Sequence, residues 1–410
     1  MHKIKGVNTV LLVTVVVSVL FSILISFLDM FGIDIFCGSY ALQLLYSQII
    51  FVLPALIWLI ANRNFRILRF RKIRFSNILL CVLLYLCLSP VLSFLNILSQ
   101  FYSTNVISTV MFNIGDEMPF GLGLLLIAVI PALCEECTYR GLIYNTYAEA
   151  SPLAAVLLSG VIFGLMHGNL NQFTYATVLG MCFALIVEAT DSIWSTFILH
   201  FLVNASSTCL VYLLPKALSV IESYYAEAVA AEDTMTMNAI ETMMGTTDFT
   251  MEAILSGSEE TVTNADLVAS LEGYIIPAVV GGILAFLLYR CIARRCGRWE
   301  LVKSIFGGRR AAAEQPNAAL QNVPSEQSAA QLNVSSEQPE TVADPEPAEQ
   351  PTAIMQAAQS EQPETVESAE RPELPLTPPA RTGLVTWQLV AAIVILVGEL
   401  VITEIALHLA

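Results

Sequence analysis

The chain has 410 residues, of which 56% are hydrophobic and only 13% charged, with a mean hydropathy of +0.68. Soluble globular domains carry roughly twice that charge fraction, so a water-soluble fold is excluded, as are collagen-like, disulfide-scaffold and wholly disordered chains. The net charge of −16 is concentrated: 217–273 holds eleven acids and no Lys or Arg, and 311–384 holds twelve acids against two Arg. The remainder is apolar and mildly basic, with no clustered basic face for nucleic acid.

Apolar runs of about 20 residues cross a bilayer as helices. Such runs occur at 7–28, 40–61, 77–97, 119–143, 152–170, 172–190, 193–214 and 273–293, with a ninth from 384 to the C-terminus. The expected fold class is all-α: a polytopic transmembrane bundle of about eight core spans, a candidate C-terminal span and a disordered acidic linker. The first run starts at Lys3 and Lys5 but is long and lacks a small-residue cleavage site, so it reads as a retained span. Arg63, Arg66, Arg69, Arg71, Lys72 and Arg74 follow the second run; Arg290, Arg294, Arg295, Arg298 and Lys303 close and follow the eighth. With a cytoplasmic N-terminus both clusters fall on the cytoplasmic face. The expectation is an integral protein of the plasma membrane with the acidic loop outside and membrane lipid as its first partner.

Six organisational segments follow: N-terminal membrane helices at 1–118, a motif-bearing membrane core at 119–214, the acidic extracytoplasmic loop at 215–272, a helix with a basic cytoplasmic end at 273–310, a linker at 311–383, and the C-terminal run at 384–410. The linker is rich in Ala, Glu, Gln, Pro and Ser and repeats EQPETV at 337–342 and 361–366; that composition cannot bury a core. Of the nine Cys, Cys81, Cys87, Cys134, Cys137, Cys182 and Cys209 lie in apolar runs and read as small hydrophobes. Glu399 and Glu404 sit in the last run, about 140° apart on a helix, so they must face other helices or the interface. Glu188 is near enough to the end of its run to reach water.

Polar groups inside spans are functional candidates, and here they concentrate in three places. PALCEECTYRG places Glu135 beside Glu136, about 100° apart on a helix, so the two serve different ends. Glu136 and Arg140, four residues apart, share a face and can pair, unless Arg140 snorkels to the surface. Glu135 lacks that partner, and a desolvated carboxylate is a usable general base. In FGLMH, Phe163 and His167 share a face; a lone buried His is more often a hydrogen-bonded core residue. In HFLVN, His200 and Asn204 share a face and can aim an imidazole and an amide at one oxyanion, or clamp two helices. Together these are the parts needed to add water to an amide carbonyl. No Ser joins them at comparable spacing.

At these residues the chain resembles the CAAX prenyl protease and bacteriocin-processing (CPBP, or Abi) family of intramembrane proteases. Its motifs E-E-x-x-x-R, F-x-x-x-H and H-x-x-x-N read here as Glu135 to Arg140, Phe163 to His167 and His200 to Asn204, over roughly 119–214. The resemblance implies an intramembrane endopeptidase acting on a membrane-associated or lipidated protein or peptide. Glu135 and His167 would activate water, His200 and Asn204 would hold the oxyanion, and Glu136 with Arg140 would be the supporting pair. No cofactor is favoured. Zinc would need Glu135, His167 and His200 as ligands, but there is no H-E-x-x-H pairing and Asn204 is a poor zinc ligand. The alternatives are a proton-coupled transporter, disfavoured by the lack of matching broken helices, and a non-catalytic scaffold or immunity protein. A straight span from 152 would hold Glu135 and His167 about 10–20 Å apart, so their pairing requires the fifth helix to start earlier, tilt or be short. The substrate and the oligomeric state are not legible.

Overall fold

The computed structural model describes residues 2–105, 111, 114–115, 117–236, 238–239, 263–307 and 383–409; residues 311–382 of the linker and 240–262 of the acidic loop lie outside them. Among the described residues all regular structure is helical. In chain order the helices are α1 (His2–Met30), α2 (Tyr40–Asn62), α3 (Phe75–Ser99), α4 (Phe120–Ala148), α5 (Pro152–Leu165), α6 (Leu170–Thr190), α7 (Ile193–Ala230), α8 (Asn264–Arg295), α9 (Trp299–Phe306) and α10 (Trp387–Leu409). Eight of these described helices, all except α5 and α9, are long and apolar enough to cross a membrane.

The fifth run is shorter than the hydropathy suggests. α5 has 14 residues, about 21 Å of helix, and stops before His167. Two local signals end it. Gly168 adopts a φ of +68°, the left-handed conformation that glycine tolerates after a helix end. Asn169 then caps α6, its Oδ1 accepting the Gln172 N–H at 2.8 Å. His167 therefore sits in a tight turn between two helices, not within a span.

α5 and α6 pack closely because small residues face each other. A Cβ on Gly160 would lie 2.5 Å from Met181 Cγ and 2.9 Å from the Thr177 carbonyl oxygen, and one on Gly164 would lie 2.9 Å from the Phe173 carbonyl oxygen. Gly160 and Gly164 form a small-xxx-small stripe of the kind that lets membrane helices approach. Phe163 is held between them. Gly160→Val is expected to cost about 1–3 kcal/mol by overpacking, lowering the thermal midpoint in detergent. It would also push Phe163 and His167 away from α4.

Two further boundaries differ from the hydropathy reading. α7 runs on from 214 to Ala230, giving 38 residues and about 57 Å, well beyond a bilayer core. The stretch after Pro215 contains no Gly or Pro and is rich in Ala and Glu, which favour helix. α8 starts at Asn264 instead of 273, fixed by a reciprocal Thr263–Asp266 capping box.

The last helix joins the core. Leu389, Ala392, Leu396 and Leu400 of α10 share one apolar cluster with Val7, Leu11 and Val15 of α1. Asn8 secures the join: its Nδ2 donates to the Leu384 carbonyl at 3.1 Å and to Thr386 Oγ1 at 2.9 Å, while the Tyr147 hydroxyl donates to its Oδ1. Glu404 faces inward and accepts from Ser103 Oγ at 3.0 Å; Glu399 is half-buried.

Both basic clusters converge on the C-terminal end of α6. Glu188 does not reach water on its own. It is buried, with Arg69 Nη1 at 3.0 Å, Arg298 Nη2 at 2.6 Å and the Tyr144 hydroxyl at 3.1 Å. Asp191 pairs with Arg71 and stands 3.5 Å from Arg69. Burial alone would lower the Arg69 guanidinium, but the Glu188 and Asp191 carboxylates outweigh it and hold it above its ordinary value. The arginines that mark one side of the membrane thus also tie the α2–α3 turn and the α8–α9 turn to α6.

Candidate active site

α4 carries the first motif and is not a regular α-helix. Leu124–Val129 and Cys137–Tyr144 are π-helical, flanking the α-helical turn Ile130–Glu136. Such wide turns recur at functional sites. The first has a visible cause. Pro131 has no N–H to give to the carbonyl four residues earlier, that of Ile127. Asn204 of α7 supplies the missing donor, its Nδ2 lying 3.0 Å from the Ile127 oxygen. An amide NH2 carries two hydrogens, so this bond fixes the orientation of Asn204 and leaves one N–H over. Asn204 makes no direct contact with the carboxylates.

Glu136 and Arg140 are paired at 3.0 Å and both are almost wholly buried. The guanidinium packs against two rings that are themselves in contact, with Cζ 4.2 Å from the Phe163 centroid and 4.9 Å from that of Phe183. Its Nε and Nη2 have no hydrogen-bond partner among the described residues, and the ring faces supply the favourable electrostatics instead. The same Glu136 Oε1 takes His200 Nδ1 at 2.9 Å. That bond turns His200 Nε2 toward Glu135, 3.9 Å from its Oε2. The two adjacent glutamates are therefore bridged by one imidazole. Glu136 is sealed in, while the Glu135 side chain keeps 15% of its surface exposed.

His167 reaches the same place from the α5–α6 turn. Its ring stands edge-on to Phe163 with centroids 5.0 Å apart, and His200 stands edge-on to the same ring at 5.8 Å. His167 Nδ1 lies 2.8 Å from the Phe163 carbonyl oxygen, one of the acceptors left over where α5 ends. A carbonyl only accepts, so Nδ1 carries the hydrogen and the neutral ring presents Nε2 as a proton acceptor. The short α5 brings this ring within electrostatic range of Glu135, Arg140 and His200.

The arrangement offers a carboxylate with proton acceptors beside it, an imidazole fixed by a buried ion pair, and an oriented amide. Among the described residues no group of three His, Cys, Asp or Glu side chains has the spacing to hold a metal ion. Cys134 and Cys137 are free and half-buried.

Residues 118–206 match the family model described as "Type II CAAX prenyl endopeptidase Rce1-like". The motif-bearing segment is therefore similar to that family. It holds Glu135, Glu136, Arg140, His167, His200 and Asn204, and lies within α4 to α7 apart from its first residues. Over 84 residues, 20% of this chain, the sequence is 29% identical to "Putative membrane peptidase YdiL" of Bacillus subtilis (strain 168). The match spans about a third (34%) of that relative's length. No solved structure matches the chain.

Around the motif residues stand others that motif spacing passes over. Phe183 of α6 is the second ring beside the Arg140 guanidinium and lies 5.4 Å from the His200 ring. Gln48 of α2 donates through Nε2 to Glu135 Oε1 at 3.4 Å. Phe183 has no sequence signal, since an aromatic in an apolar run reads as core. Gln48 had one: it is an amide in the middle of a span.

Proposed function

We propose that the chain is an intramembrane endopeptidase hydrolysing a peptide bond of a membrane-associated or lipidated protein or peptide, oriented with its N-terminus in the cytoplasm. The observation that supports this best is Glu135 beside the His200 imidazole, with His200 itself fixed by the buried Glu136–Arg140 pair. Glu135 takes a proton from water, and His167 Nε2 orients that water as a second acceptor. The water oxygen attacks the carbonyl carbon. The resulting oxyanion is held by the spare N–H of Asn204 and by His200 Nε2 when that nitrogen carries a proton. Glu135 then returns its proton to the leaving amine. Glu136 and Arg140 touch no reacting atom; they keep His200 in place.

The test is cleavage by purified protein in detergent of quenched fluorescent peptides, including a prenylated C-a-a-X peptide. The expected result is cleavage that survives a strong zinc chelator. Loss of activity on chelation, restored by added zinc, assigns the reaction to a metal instead. Failure to cleave any peptide in reconstituted bilayers as well as in detergent removes the endopeptidase reading.

A further inference from the structure

We infer that Gln48, on α2 and outside the segment matched to that family, is a positioning residue for Glu135. The inference rests on the endopeptidase reading and names a member of its site that no motif contains. Three residues of α2 are buried: Gln48, Ala55 and Leu59. Spaced by seven and four, they lie on one helical face, which is the face α2 turns to the bundle. Two of the three are apolar, as a lipid-embedded helix requires. A buried amide in a span is unfavourable unless it is hydrogen-bonded, so its partner indicates why it is there.

That partner is the base. Gln48 Nε2 donates to Glu135 Oε1, while Oε2 of the same carboxylate faces His200 Nε2. Gln48 thus bonds one oxygen of the carboxylate, while the other stands 3.9 Å from the imidazole, beyond hydrogen-bond distance. The other end of the amide is unused: Gln48 Oε1 is buried and has no partner among the described residues. An unpaired acceptor beside a catalytic carboxylate suits an N–H of the peptide being cleaved. One side chain would then orient the base and register the substrate against it.

The competing account is that Gln48 merely packs α2 against α4. A packing role would lower stability and act independently of Glu135. Two variants of near-equal size separate these accounts. Gln48→Met and Gln48→Leu both remove donor and acceptor without adding a charge beside Glu135. Each is expected to lower kcat by about 10- to 100-fold, the scale of a misplaced catalytic group. KM should rise by less than kcat falls, the lost acceptor accounting for the rise and the misplaced base for the larger loss in the chemical step, and the thermal midpoint should stay near that of the wild type. The variants are then combined with Glu135→Asp, which keeps a carboxylate but retracts it from Gln48. Gln48→Met should cost much less in that background than in the wild type. Wild-type kcat in both Gln48 variants, or losses that simply multiply with Glu135→Asp, overturns the inference and leaves the endopeptidase reading standing. Full activity in Glu135→Asp and Glu135→Gln alike overturns the role of Glu135, and this inference with it.

Discussion

Replacing Glu135 with Gln lowers the peptide-cleavage rate by about a thousandfold, the middle of the range for removing a general base, and leaves the fold intact. Gln keeps the size and shape of Glu and can still bond to Gln48. It cannot take a proton from water. The structural cost is small because Glu135 is partly exposed and its contacts are with neutral or exchangeable groups, at 3.4 Å to Gln48 and 3.9 Å to His200. The measurement is initial rate on a quenched peptide, with thermal unfolding run alongside. A fully folded Glu135→Gln protein that cleaves like the wild type would show that another group activates water. The contrast with Glu136→Gln is informative. Glu136 is buried, paired with Arg140 and bonded to His200, so its replacement should lower both rate and stability. Two adjacent carboxylates thus differ in role because the helix turns them about 100° apart, one toward α2 and the residual exposed surface, the other into the aromatic cage.

The sequence carried the fold class because lipid imposes a simple rule: a run of about 20 apolar residues must satisfy its backbone as a helix. Long-range pairing is invisible to that rule. Glu188 read as an end-of-helix carboxylate, and only the folded chain shows Arg69 and Arg298 meeting on it from 119 and 110 residues away. The α5 boundary was legible but outweighed. Gly168 and Asn169 are a helix stop followed by a helix cap, yet they sit inside a run that is apolar on average, and hydropathy windows blur such signals. The π-helical stretches of α4 were half legible: Pro131 announces a missing donor, but nothing local shows that Asn204, 77 residues on, answers it. Gln48 was missed because its partner, Glu135, is 87 residues away and no local spacing pairs them. An amide costs less to bury than a charge, but it still needs a partner.

Arg140→Met should have the largest effect on stability. The side chain is fully buried, its Nη1 is the cationic partner of Glu136, and its guanidinium packs against the rings of Phe163 and Phe183. Methionine fills much of the volume but leaves a carboxylate in an apolar cage without a cation. Breaking a buried pair from one side costs about 3–5 kcal/mol, enough to move thermal unfolding in detergent by many degrees or to prevent accumulation of folded protein. Arg140→Lys should be only partly tolerated, since an ammonium lacks the flat guanidinium that packs on the rings. The decisive variant is the double replacement Glu136→Gln with Arg140→Met. Removing both charges together should recover much of the lost stability, because replacing a whole buried pair with neutral groups is often close to neutral. Activity should not return with it. Without the carboxylate, His200 Nδ1 loses the acceptor that turns Nε2 toward Glu135. A double variant that is stable but slow would separate the two tasks of the pair, holding α4 in the bundle and aiming the imidazole. One that recovers both stability and full rate would show that the pair serves the fold alone.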